Sequence, residues 1–348
     1  PIDIQCELFD QLISPILLYG SEIWGFQKLD QIELFHRKFL KSVLKVNKYT
    51  ANCMTYGEVG RFLLTNTIER QMINFWTRII GGKQHKLSYV LYQLLRNMYD
   101  QGDLKSKWIE KITSILNNCG MSNIWHQQDN VNKMWIKQCV DLKLRDMDIQ
   151  NWRSDVNTNK LCSIYRVFKH EPGLEQYLLD IDGQDRINLC KFRCENHRLP
   201  VTDGRYYHDY LPRPCTLCTS QEQGDEFHYL LVCPTLQNMR QKYIKRYYRT
   251  RPNTLKMDQL LNVKNAKQLS DLAKFVKIIM SFFKFKHTVN IVKRKYLNFP
   301  TMDAYNNSGG IYMCHRTVHR PVTPVSLFSI YVYIQTMPPS PCCISPMP

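Results

Sequence analysis

The stretch CTLCTSQEQGDEFHYLLVC, residues 215–233, decides how the chain is divided. It sets Cys215, Cys218, His228 and Cys233 in a C-x2-C-x9-H-x4-C pattern. Two cysteines separated by two residues turn the backbone so that both sulfurs can face one ion. A histidine and a third cysteine complete the four ligands that tetrahedral zinc takes, with no open position for water. A closed site of this kind is structural: one zinc ion folds a segment too small to have its own core, and activates no water. Pro214 and Pro234 bracket the stretch, Gly224 permits a turn, and Phe227, Leu230 and Leu231 are apolar packing for the ion's surroundings. A rival ligand set, Cys190, Cys194 and His197, lies just upstream. Having three members and no fourth, it also reads as buried thiols beside a packed histidine.

Downstream of this knuckle the chain turns basic. Arg240, Lys242, Lys245, Arg246, Arg249 and Arg251 follow it, with Tyr243, Tyr247 and Tyr248 between them. Cations neutralise phosphates and tyrosine rings stack on unpaired bases, so the run fits RNA or DNA. Lys274, Lys277, Lys284, Lys286, Lys293, Arg294 and Lys295 continue the trend, and between residues 236 and 295 only Asp258 and Asp271 are acidic. Upstream, His197, Arg198 and Arg205 are the matching candidates. The plainer reading of the run is a solvated helix face over aromatic core residues.

Farther out, apolar residues recur at helical spacing. Leu8 to Gly25 is apolar and aromatic, interrupted by Pro15 and Gly20. Stripes follow at Ile32, Phe35, Phe39, Leu40 and Val43, and at Ile68, Met72, Phe75 and Ile79, the second stopped by Gly81-Gly82. Leu87, Val90, Leu91, Leu94, Leu95 and Met98 form another, then Trp108, Ile112, Ile115 and Leu116, then Val131, Met134, Trp135 and Leu142. Period-two strand patterns are scarce. The fold class expected is mainly α. Cys53, Cys119 and Cys139 sit on apolar faces and read as core. After residue 299 the pattern changes: eight of the chain's 16 prolines lie from Pro300 to Pro348, with little charge and no period. A disordered tail is expected there, or translation past the natural end of a coding segment.

The whole chain has 348 residues, 44% of them apolar, and a net charge of +17. An excess of that size suits a phosphate backbone better than a small-molecule enzyme. No apolar stretch reaches 18 residues and no signal peptide is visible, so no membrane association is expected and the location expected is intracellular, nucleus or cytoplasm. Thirteen cysteines, an odd number, then read as reduced thiols or metal ligands. Pro1 lies inside a hydrophobic element with no Met before it, the look of a fragment. No Tyr-x-Asp-Asp stretch and no Walker-type glycine loop occurs. Asp180, Asp182 and Asp185 cluster near Gly183 as a polar loop would. The chain is not expected to be an enzyme by itself.

Leu8-Phe9-Asp10 through Pro15-Ile16-Leu17-Leu18-Tyr19-Gly20-Ser21-Glu22-Ile23-Trp24-Gly25 resembles the start of the thumb in non-LTR (LINE-type) retrotransposon reverse transcriptases. Ile32-Glu33, His36 and Phe39-Leu40-Lys41 are similar to the segment that follows there, as is Tyr56-Gly57-Glu58-Val59-Gly60-Arg61. Asn196-His197-Arg198-Leu199-Pro200 with Gly204-Arg205-Tyr206 resembles the lead-in to that family's C-terminal zinc segment. Cys215, Cys218, Asp225 to Leu231 and Cys233 resemble the segment itself. The resemblance covers roughly residues 8–80 and 185–295. It departs from the pattern at Phe62-Leu63, where a variable residue and a proline are usual, and at Thr202-Asp203. Fingers, palm and endonuclease have no counterpart in the chain.

What the resemblance implies is the C-terminal remnant of a reverse transcriptase, gripping RNA or DNA beside a polymerase portion that precedes it. Its segments would be a thumb-like helical bundle over 1–82, a helical linker over 83–184 and a zinc-binding region over 185–240. Basic helices over 241–298 and the tail over 299–348 complete the chain. Because a thumb packs against a palm, Trp24, Phe35 and Phe39 are expected to be partly exposed. A zinc-dependent protein-interaction module, or a transposon remnant without function, are the alternatives.

Overall fold

Residues 133–158 form the longest fully described helix, and its burial pattern organises the molecule. Asn132 caps it, its side-chain oxygen accepting the backbone N–H of Met134 and Trp135 at 3.0 and 3.2 Å. The buried residues are Ile136, Val140, Leu144, Asp148, Trp152 and Val156, each four residues after the last. Four residues span about 400°, so every step moves the stripe about 40° around the helix, and five steps carry it about 200°. One end of the helix therefore faces one core and the other end faces another. Ile136, Val140 and Leu144 join the first, Trp152 and Val156 the second.

The computed structural model describes residues 1–128, 132–202 and 213–297, the last helix beyond residue 283 by its backbone alone. Arg205 and the expected tail lie outside them. Among the described residues the fold is mainly α as expected, with no strand and two isolated bridges, Val59–Leu174 and Pro214–Gln223. Pro1–Lys295 form one compact unit; of the second, Tyr296–Pro348, only the two residues that end the last helix are described.

The first core centres on the helix Leu64–Ile80, which buries Ile68, Met72, Ile73 and Trp76. The Trp76 indole donates to the Tyr92 hydroxyl at 2.8 Å, and that hydroxyl donates to the Gln128 amide oxygen at 2.9 Å. Ile109, Ile112, Ile115 and Leu116 of the helix Lys107–Asn118 close this core from another side. Three expected stripes differ from the buried ones. Phe75 and Ile79 are only half-buried, while Trp76, absent from the expected stripe, is the largest fully buried side chain among the described residues. Leu87, Val90, Leu91 and Leu94 face solvent, Leu87 at 72% exposure, because the helix Leu87–Asp100 is held by its opposite face through Tyr92. Met134, Trp135 and Leu142 are exposed too, on the outer side of the winding stripe.

The second core gathers Ile2, Cys6, Leu40, Met54, Tyr165, Tyr177, Phe192, Tyr229 and Phe275 from distant parts of the chain. Its centre is charged. Glu58 and Arg193 are both fully buried, joined by Nε to Oε2 at 2.9 Å and Nη2 to Oε1 at 3.1 Å. Arg193 also reaches Glu175 at 3.0 Å and the Leu261 carbonyl at 2.7 Å, and Tyr177 donates to Glu58 at 2.5 Å. Burial alone would push the Glu58 carboxyl up, but the guanidinium beside it holds it below the usual range. Gly60 ends the helix Asn52–Val59 at φ +66°, and a Cβ there would stand 2.5 Å from the Leu174 backbone nitrogen.

The helix Asp30–Leu44 lies between the cores, with Phe39 touching both. Trp24 and Phe39 are half-buried and Phe35 is exposed, as the sequence led one to expect. Its inward face includes the polar Glu33 and His36, which no apolar stripe reveals. Burial pushes His36, stacked on Phe9, down to about 4. No described helix is long and apolar enough to cross a membrane.

Two consequences can be measured. Arg193→Met leaves a buried carboxylate uncompensated and is expected to cost about 3–5 kcal/mol in chemical denaturation, much of it recovered when Glu58→Leu is added. Asp148 sits where the stripe crosses between cores, with Oδ2 unpartnered, and burial raises it from 3.8 to about 6. The folded chain thus keeps a proton that the unfolded chain has lost, and the stability tied to it disappears as pH rises through 6. Asp148→Asn is expected to stabilise by about 1–3 kcal/mol at pH 8 and hardly at all at pH 4, read from denaturation midpoints at both pH values.

Candidate metal centre and its basic flank

The knuckle begins as a tight hairpin. Cys215 N–H donates to the Glu222 carbonyl at 2.8 Å, Gly224 N–H to the Arg213 carbonyl at 2.8 Å, and Pro214 bridges Gln223. Gly224 is required by closeness: a Cβ would stand 2.9 Å from the Tyr229 hydroxyl and 3.2 Å from Cys215 Cα. Asp225 then accepts the His228 backbone N–H at 2.8 Å, starting the wide turn His228–Val232 that returns the chain to Cys233.

This brings Cys215, Cys218, His228 and Cys233 together, their ligand atoms all within 4.8 Å of one another. The Cys215 and Cys233 sulfurs are 3.9 Å apart, and Cys218 Sγ is 3.4 Å from His228 Nε2. Metal–sulfur bonds of about 2.3 Å and metal–nitrogen bonds of about 2.0 Å at tetrahedral angles require edges of roughly 3.8 and 3.5 Å. The four groups can therefore hold a metal ion. Burial pushes Cys218 up, but hydrogen bonds with Ser220, Cys215 and His228 together outweigh it and bring the thiol down to about 6. Burial and the neighbouring Cys215 push Cys233 up to about 11. Ionising the Cys233 thiol at neutral pH takes the charge of a cation beside it.

One member of the site has no signal in the spacing. Glu222 Oε2 lies 2.8 Å from His228 Nδ1, so the carboxylate accepts the Nδ1 proton and leaves Nε2 bare toward the sulfurs. The rival set does not assemble. Cys190 and Cys194 are buried together, but His197 turns away, its Nε2 2.7 Å from Glu226 Oε1. Among the described residues no second group of this kind occurs.

The basic candidates divide in two. Lys242, Lys245, Arg246, Arg251 and Arg198 are exposed, as is Tyr247, while Tyr243 and Arg249 are half-buried. Tyr247 lies under the Lys256 ammonium, 4.9 Å from ring centre to nitrogen, and Asp258 nearby is engaged by His170 and Asn262. The other two candidates need correction. His197 is buried against Glu226 and Leu199, out of reach of a strand passing over the surface. Arg240 is also buried. Its Nε donates to the Leu230 carbonyl at 2.8 Å, its Nη2 to those of Tyr229 and Cys233 at 3.2 and 3.0 Å. The wide turn leaves the Tyr229 and Leu230 carbonyls without helical partners, and a guanidinium has the donors to satisfy them and to join Leu236 N–H on the Cys233 carbonyl. Burial pushes Arg240 down to about 10.

No protein-family model, curated protein or solved structure matches the chain.

Arg240→Ala strips the buried Tyr229 and Leu230 carbonyls of their donor and leaves the Cys233 carbonyl with Leu236 N–H alone, and a loss of about 2–4 kcal/mol is expected, against less than about 0.5 kcal/mol for the exposed Arg198→Ala, both read from thermal and urea unfolding.

Proposed function

We propose that the chain is a nucleic-acid-binding C-terminal portion of a LINE-type reverse transcriptase, holding one structural zinc ion and doing no chemistry by itself. The observation that carries the reading is the fastening of a basic, tyrosine-bearing surface to the knuckle. Arg240 ties the helix Gln237–Tyr243 to the knuckle's own carbonyls. The metal thereby sets the position of Lys242, Lys245, Arg246, Tyr247 and Arg251, which lie just beyond. These cations would track phosphates and Tyr247 would stack on a base.

Three sulfurs and one nitrogen at near-tetrahedral spacing favour zinc over magnesium or calcium, which take oxygen. The stretches on which the family resemblance rests also meet in space, as parts of one fold would. Glu58 pairs with Arg193, and Asn196 Oδ1 accepts the Asn47 N–H at 3.0 Å. Along the first 23 residues Leu8, Leu12, Ile16, Tyr19 and Ile23 are exposed, an apolar face that a polymerase portion of the parent protein would cover. A second reading, a zinc-dependent protein-interaction module, is favoured by the exposed stripe Leu87, Val90, Leu91 and Leu94.

Purified reduced protein is expected to carry about one zinc per chain by elemental analysis. Cys218→Ser should release it and Glu222→Gln should weaken it about 10–100-fold in chelator competition. Zero metal in the reduced wild type refutes the zinc assignment. In mobility shifts, RNA or single-stranded DNA should bind at 50 mM salt and weaken steeply by 200 mM, and Lys245→Ala/Arg246→Ala/Arg251→Ala should flatten the salt slope by about 2–3. Absence of binding at low salt, with nuclease-resistant capture of protein partners instead, selects the second reading.

A further inference from the structure

A cavity of about 350 Å³ opens beside the knuckle, walled by the helix Gly183–Arg193, the turn after it and the last helix. Gln184, Asn188 and Lys191 face it from one side of their helix, Arg198 stands at its edge, and Leu199 and Phe283 supply apolar wall. The volume falls within the roughly 300–1,000 Å³ usual for small-ligand sites. Phe283 packs edge-on against Tyr229 at 4.9 Å, so the cavity is continuous with the metal centre's own packing.

Two features show what the cavity lacks. Asn188 is 98% buried, yet its Nδ2 has no partner, although its Oδ1 accepts the Gln184 amide at 2.9 Å. A buried amide donor left open costs about 1–3 kcal/mol unless something accepts it. The side chains of Lys191 and Arg198 make no hydrogen bond or ion pair among the described residues, so two cations stand open at the same place. Such a lining fits an acceptor against Asn188, a flat apolar body against Phe283 and Leu199, and negative charge beside Lys191 and Arg198.

We infer that this cavity takes one unpaired nucleotide of a single-stranded nucleic acid. Its phosphate lies between Lys191 and Arg198, its base lies against Phe283 and Leu199, and a base carbonyl accepts the free N–H of Asn188. The inference rests on the nucleic-acid reading above but concerns different residues from the basic run. It makes the cavity the place where one base is held, while Lys242 to Arg251 hold backbone.

The test uses the full chain with its metal, labelled with ¹³C at methionine methyls, because Met280 lines the cavity. Titrants are uridine monophosphate, a six-residue oligouridine and inorganic phosphate. Expected are a saturable shift of the Met280 methyl with both uridine ligands and a smaller one with phosphate alone. Oligouridine affinity, read by fluorescence anisotropy, should fall at least fivefold in Arg198→Ala and in Lys191→Ala, both with unchanged melting temperature. Asn188→Asp, which removes the donor at constant shape, should do the same; if it fails to fold, the other two variants decide. Oligouridine that binds without moving Met280, and equally well in the double variant, overturns the cavity and leaves the basic run as the grip. Uridine monophosphate that moves Met280 while no oligouridine binds upholds the cavity and overturns the strand-binding function. Silence with every titrant overturns both.

Discussion

The buried pair Glu58–Arg193 is the constraint on which the second core depends. Few arrangements tolerate a guanidinium with 1% of its surface exposed, and this one surrounds it with two carboxylates, a carbonyl and the rings of Phe168 and Tyr177 at 4.7 and 5.1 Å. Each partner comes from a different element, so placing Arg193 fixes the helix Asn52–Val59, the segment near Glu175 and the helix Thr254–Leu261 together. The helix that carries Arg193 also carries Asn188 and Lys191, and the turn after it carries His197 and Arg198. The ion pair thus sets where the cavity and the knuckle's upstream flank stand. Its contribution is mainly to register. Charge removed from water is repaid only when every donor and acceptor is met, and one arrangement meets them.

A second device joins this core to the first. The stripe on the helix of residues 133–158 winds because its members are spaced four apart while a turn takes 3.6 residues. The same winding places Asp148 at the crossing, neither in one core nor in the other, where its carboxyl meets burial without full compensation. Tyr92 does comparable work inside the first core, its hydroxyl linking Trp76 to Gln128.

Around the metal centre, charge works at two distances. Glu222 touches His228 and sets which ring nitrogen faces the sulfurs. Arg240 touches none of the four ligand side chains but holds the backbone from Tyr229 to Cys233 in its wide turn. A basic residue that satisfies carbonyls inside the molecule is lost to any phosphate outside it. Its exposed neighbours keep both their charge and their access.

The sequence by itself determined the helical class and the four-member ligand set, because both follow from local spacing: 3.6 residues per turn in one case, a short cysteine pair in the other. What only the tertiary structure decided was direction. The stripe Leu87 to Leu94 is apolar and periodic, yet the helix docks by Tyr92; Trp76 fills the core while Phe75 beside it stays half-buried. Arg240 and Arg246 are alike in the sequence, and one points inward because the turn it follows leaves carbonyls without donors. Glu222, Asn188 and the Glu58–Arg193 pair were silent as well. Burial, and pairing between groups as distant as Glu58 and Arg193, 135 residues apart, are properties of a packed core, which no local spacing records.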